Sequence, residues 1–183
     1  MEYQINRNSL NISISYSYFS NLVTLNWNDI LFAIEHRYLP YQAAIEHSSL
    51  QLSNNLNSSP QEVLDLVCLT PEEVIFSHSI HPYIDKLVET VPKAEKEETI
   101  DKIMYVLLDW IFENQENFDN PLEVAQIVYA DFDYPKSISE FVGYMPSEVS
   151  DLNLVGVKGV ERMLINWKSY LEKEKLRFSP PTP

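Results

Sequence analysis

Glycine is almost missing from this sequence, at three residues in 183, where ordinary usage is about 7%. That scarcity argues against nucleotide folds built on glycine-rich loops and against sheets joined by many tight glycine turns. Cysteine is scarcer still: Cys68 stands alone, so no internal disulfide can form and a reducing compartment is expected. Bases are few as well, with 13 Lys and Arg against 27 Asp and Glu and a formal charge of -14 at pH 7. A long apolar run is also lacking. The most apolar stretch, Ile103 to Phe112, is interrupted by Asp109 and falls well short of the roughly 20 residues a membrane span needs. The opening MEYQINRNSL has no basic patch leading into an apolar run, so no secretory signal is expected and the cytoplasm is the expected location.

What is present is apolar enough to fold. A hydrophobic content of 45% with 12% aromatics excludes a disordered chain, and the length suits a single domain with a sizeable core. The charge is segregated. From Lys158 to Arg177 there are six bases and three acids, which leaves a net of -17 over the rest of the chain. A field of that sign repels nucleic-acid phosphates and anionic lipid and attracts basic surfaces. Neither nucleic acid nor membrane is therefore expected as a partner.

Residues Asn11 to Tyr18 alternate between Ile or Tyr and Asn or Ser, a period of two that favours a short strand or edge arm. Helical spacing dominates afterwards. Trp27, Ile30, Leu31 and Ile34 share one helical face, and Pro40 starts a second helix with Tyr41, Ala44, Ile45 and Leu52 inward. The run SNNLNSS (53–59) reads as a polar loop. Ser59-Pro60, Thr70-Pro71 and Asn120-Pro121 each place a capping side chain before Pro, with Glu62, Glu73 or Glu123 following. These are helix starts near 61, 72 and 122. The longest helix is expected from about Glu95 to Asn117, with a stripe of Ile100, Ile103, Met104, Leu107, Leu108, Ile111 and Phe112. A last helix, 157–175, buries Val160, Met163, Leu164, Trp167 and Leu171. The expected fold is mainly all-α: an N-terminal strand or arm over 1–19, a single helical domain of seven or eight short helices over 20–177, and a frayed tail over 178–183.

Catalytic constellations are sparse. His78 and His81 would share a helical face, but Pro82 follows, and neither His-Glu-x-x-His nor a cysteine pair accompanies them. Glu35-His36 and Glu46-His47 are adjacent pairs, which point apart on a helix. Cys68 lies in an apolar segment and reads as a buried core thiol. Asp131-Phe132-Asp133 lacks the further ligands of a calcium loop, so it reads as helix-end carboxylates around a buried Phe132. Leu154 to Val160 loosely matches a DNA-gripping hairpin, yet its glycines, Gly156 and Gly159, are too far apart. They read instead as relieving the turn before the last helix. No metal site, cofactor or catalytic residue is expected, and the residues support an acidic helical binding module rather than an enzyme.

Several segments together resemble a family of small bacterial proteins. They are Trp27-Asn28-Asp29-Ile30, Ala43-Ala44-Ile45, Val63-Leu64-Asp65-Leu66, the run PLEVAQIVYADFDYPKSISEFVGYMP from Pro121 to Pro146, and Asn166-Trp167-Lys168 with Tyr170-Leu171. The resemblance covers about residues 20 to 177, and VYADFDYP is its most specific part. That family is known as candidate immunity proteins of bacterial toxin systems, including contact-dependent growth inhibition. The resemblance implies a protein that binds and neutralises a cognate toxin domain, and it brings no enzymatic residues. Nuclease toxins need basic clefts for phosphate, so the expected partner is a basic RNase or DNase, blocked at its active-site cleft. The expected interface residues are acids not assigned to helix starts: Asp85, Glu89, Glu113, Glu116, Asp119, Asp131 and Asp133, with Tyr134 as an anchor. Two other classes stay open, a metal-dependent hydrolase using His78 and His81, and a general acidic helical scaffold.

Overall fold

A computed structural model describes residues 8–54, 59–142 and 157–179. Among them the regular structure is entirely helical: nine α-helices, short 3-10 turns and no strand. The chain groups into two compact units, one of residues 11–103 and the other of residues 1–10 with 104–183.

In the first unit the expected N-terminal strand is replaced by a helix. Residues 11–14 form no strand, and α1 (Tyr16–Leu22) occupies the second half of the alternating segment. Ser15 caps it, accepting from the Tyr18 N–H, and Tyr16 and Phe19 turn inward at a spacing of three. A strand needs a neighbour to satisfy its backbone; here Ile14 N–H donates once, to the Tyr38 carbonyl at 2.9 Å. Helix α2 (Trp27–Glu35) buries Trp27, Ile30, Ala33 and Ile34. Pro40 does not begin the next helix; turn-like bonds from Ala43 N–H to the Pro40 carbonyl lead into α3 (Ala43–Asn54).

Helix α4 (Gln61–Val67) begins where expected. The helix expected near 72 shrinks to a 3-10 turn, Glu73–Ile75. Only Val74 is buried there, while Ile75 and Phe76 are exposed, so no inward face rewards a longer helix. A second 3-10 turn, Ser77–Ser79, leads into α5 (His81–Glu89). The expected 95–117 helix is broken into α6 (Lys93–Glu97), α7 (Thr99–Glu113) and a 3-10 turn at Gln115–Asn117. Ile100 is exposed, but Ile103 through Leu108 and Ile111 are buried, so α7 is apolar nearly all round over its middle. α3 packs on α4, and α5 packs on both α2 and α4.

A buried polar knot joins α2 to the start of α7. Asn26 and Asp29 form a capping box, with Asp29 N–H donating to Asn26 Oδ1 at 3.0 Å and Asn26 N–H donating to Asp29 Oδ2 at 2.9 Å. The same carboxylate accepts from Lys102 Nζ at 2.6 Å and from Thr99 Oγ1 at 2.5 Å. Asn28 Nδ2 completes the set, donating to Thr99 Oγ1 at 2.9 Å. Asp29 is 0% exposed and Lys102 only 6%.

The second unit contains α8 (Pro121–Asp131), α9 (Val157–Phe178) and the apolar run of α7 from Met104 onward. Asn120 makes no side-chain cap at α8. Trp167 is wholly buried, stacked parallel to Phe141 at 5.5 Å and edge-on to Phe112 at 5.3 Å. α9, with 22 residues, is the longest helix, in place of the one expected over 95–117. Its Val160 is exposed, Leu171 and Phe178 are buried, and Gly159 lies inside it rather than in a turn before it. Glu174 is also buried, 3.3 Å from Arg177, whose guanidinium lies over Phe178. Gly156 and residues 180–183 of the expected tail lie outside the described residues.

With so little glycine, left-handed backbone falls to other residues: Asn11 (φ 52), Arg37 (φ 61), Asp133 (φ 62) and Tyr134 (φ 58). Tyr134 N–H donates back to the Tyr129 carbonyl at 2.9 Å, which closes the end of α8.

The knot supplies a stability test. Asp29→Ala is expected to cost about 3–5 kcal/mol because it leaves the Lys102 ammonium buried without a counter-charge, whereas Asp29→Leu with Lys102→Met should recover most of that loss. Urea unfolding midpoints at unchanged m-value check both.

Candidate functional site

The expected interface acids fall into both units. Asp85 and Glu89 lie four apart on α5 and are exposed; Asp85 sits 3.5 Å from His81 Nδ1. Glu113, Glu116 and Asp119 form one exposed run from the end of α7 through the following 3-10 turn. Asp133 and Tyr134 are exposed on the left-handed corner after α8, with the Tyr134 ring edge-on to Tyr129 at 5.2 Å. Asp131 is different. It is buried and accepts from Ser9 N–H at 2.8 Å and Ser9 Oγ at 2.5 Å, so it is engaged with Ser9 and not displayed to solvent. Phe132 between these acids is buried, as expected.

Acid without base is the rule over long stretches of this surface. Residues 38–85 hold six acids and no Lys or Arg, and residues 109–133 hold seven acids and none. Some of these carboxylates serve the backbone. Glu73 accepts from Thr70 N–H at 2.8 Å, and that bond keeps its carboxyl below the usual range.

The remaining chemistry-bearing residues do not converge. His78 is exposed and stacks on Phe76 at 5.4 Å, while His81 pairs with Asp85. Among the described residues no group of three or more His, Cys, Asp or Glu could hold a metal ion. Cys68 is exposed at the end of α4, not buried as its apolar neighbours suggested. An open groove of about 350 Å³ lies between the 136–141 segment and α9, where Lys136, Lys173, Ser137, Ser169 and Asn166 surround Phe141 and Tyr170. No described helix is long and apolar enough to cross a membrane.

One buried titratable group was not singled out in the sequence. His47 sits on the inner face of α3, its Nδ1 2.9 Å from Tyr16 Oη and its ring edge-on to Trp27 at 4.6 Å. Trp27 Nε1 donates to Gln51 Oε1 at 3.0 Å on the next turn. Burial lowers the His47 pKa to about 4 and raises that of Tyr16 to about 12, Glu46 adding to the latter. Ala43, Ala44, His47 and Ser48 are the buried residues of α3. Their shared helical stripe was the available signal, masked by reading His47 with its neighbour Glu46.

Compared with known families, residues 16–175 match the model of a family described as an uncharacterised protein conserved in bacteria (DUF2247). The chain belongs to this family. Comparisons with curated proteins and with solved structures give no match. The DUF2247 segment begins at Tyr16 and so takes in both buried polar clusters, Tyr16–His47–Trp27 and Asn26–Asp29–Thr99–Lys102. Ser9, which holds Asp131, lies outside it.

The depressed His47 pKa gives a pH dependence of definite sign. Between about pH 6.5 and 4 the unfolded chain takes a proton on His47 that the folded chain refuses. The stability contribution is fully present above pH 6.5 and falls by about 3 kcal/mol as the pH drops to 4. Urea stability measured across this window should be flatter for His47→Gln than for the wild-type chain.

Proposed function

We propose that this chain is an immunity protein, which binds a cognate toxin domain in the cytoplasm of a bacterium and neutralises it by covering a basic, nuclease-type active-site cleft. The observation that carries this reading is the surface charge. Long stretches without a single base present Glu72, Glu73, Asp85, Glu113, Glu116, Asp119 and Asp133 to solvent, and Glu89 is exposed on α5 between Lys86 and Lys93. Carboxylates so displayed are complementary to a cleft built to hold phosphates, and they can occupy the places of substrate phosphates. The resemblance to candidate immunity proteins points in the same direction. No cofactor enters, because occlusion needs none.

Electrostatic attraction of this kind acts chiefly on the encounter rate. Association with the toxin domain should therefore slow by at least about tenfold between low and high salt. Co-expression should rescue cells from that toxin. Reversing the exposed acids Asp85, Glu89, Glu113, Glu116, Asp119 and Asp133 to lysine should abolish rescue while helix content by circular dichroism is kept. Rescue by the fully reversed chain would eliminate the electrostatic mechanism, and failure of the unaltered chain to bind any basic toxin would leave the general acidic scaffold.

A further inference from the structure

We infer that the Ile75–Phe76 corner of the first unit is the anchor that docks the toxin domain, inserting into an apolar pocket whose rim carries Lys and Arg. The inference rests on the function proposed above and narrows it to one surface. Ile75 and Phe76 are each 57% exposed, although both are large and apolar. They stand on a corner that is already held in place. Val74 is fully buried beneath it, Glu73 accepts from Thr70 N–H, and Ser79 N–H donates to the Phe76 carbonyl at 3.1 Å. A displayed aromatic on a fixed turn loses little conformational freedom on binding, which is the property of an interface anchor.

The surroundings select the occupant. Glu72 and Glu73, both exposed, lie within four residues of Phe76, and the segment from 38 to 85 has no Lys or Arg. A second copy of this chain would bring the same acids face to face, and nucleic acid or anionic lipid would be repelled. A basic protein surface with an apolar recess fits both the charge and the exposed side chains. The competing acidic run, Glu113 to Asp119, offers no exposed large apolar side chain. Tyr134 is exposed too, but no second large apolar side chain is exposed beside it, whereas Phe76 has Ile75.

Cys68 supplies a reporter. It is exposed, it is the only cysteine, and it lies eight residues before Phe76 in the sequence. A toxin domain seated on this corner with a standard interface of about 800 Å² is expected to shield it. The test uses the full chain and a catalytically inactive basic nuclease toxin domain. Phe76→Ser and Ile75→Ser, at exposed positions, should each keep the fold and weaken binding about 30-fold. Glu72→Lys should slow association several-fold and flatten its salt dependence. Alkylation of Cys68 by N-ethylmaleimide should slow at least tenfold in the complex. If the unaltered chain binds but all three variants bind equally well and Cys68 stays reactive, this docking surface is wrong and the immunity reading survives. If the unaltered chain does not bind the toxin domain at all, both fall together.

Discussion

The Asp29–Lys102 ion pair sets the terms for the first unit. Two charges removed from water are costly, and the cost is met here because Asn26, Thr99 and Lys102 together satisfy the Asp29 carboxylate. Such a pair contributes little net stability over an apolar replacement, but it admits very few geometries. The first turn of α2 must meet the first turn of α7, since any slip would strand a buried charge. Thr99 links the cap of one helix to the start of the other through a single hydroxyl, with Asn28 fixing that hydroxyl from the second side. Register is thus specified by polar atoms in a chain whose apolar side chains would tolerate several packings.

Much of the architecture was readable because period and punctuation agree. The 3.6-residue stripe from Ile103 to Ile111 is buried as written, and the Pro-led starts of α4 and α8 fall within a residue of their expected positions. Where reading failed, a local rule lost to tertiary context. Eight alternating residues look like a strand, yet Ser15 offered a cap and no second strand was available, so a helix formed. The start at 72 carried a correct Thr-Pro-Glu signature, but the following residues had nothing to bury against. Cys68 was judged by its neighbours, although a residue at a helix end can leave the apolar face that its sequence surrounds suggest. The long-range pairings Asp29–Lys102, Tyr16–His47 and Ser9–Asp131 join residues 31 to 122 apart in the chain. No one-dimensional period encodes those separations. The exposed acids of the candidate surface were legible as composition; their division between two units was not.

Charge in this protein is partitioned by use. The acids at Asp29, Asp131 and Glu174 are buried and bound to named partners. Others, such as Glu73, tie down a turn while remaining in solvent. A further set lies in two base-free stretches, residues 38–85 and 109–133. Solubility alone would be served by acids mixed with bases. Long base-free stretches instead concentrate negative potential locally, which is the feature on which the proposed recognition of a basic protein rests.

The scarcity of glycine has a structural corollary at the end of α8. A corner made by glycine is a bare hinge, free to relax and with nothing to show. Here the reversal is made by Asp133 and Tyr134, both held in the left-handed region, where a residue with a side chain sits roughly 1–2 kcal/mol above its preferred conformations. The backbone tension and the position of the tyrosine ring are therefore one property: the chain cannot relieve the first without swinging the second away. A bend of this kind works as a bracket that keeps its aromatic ring aimed in a single direction.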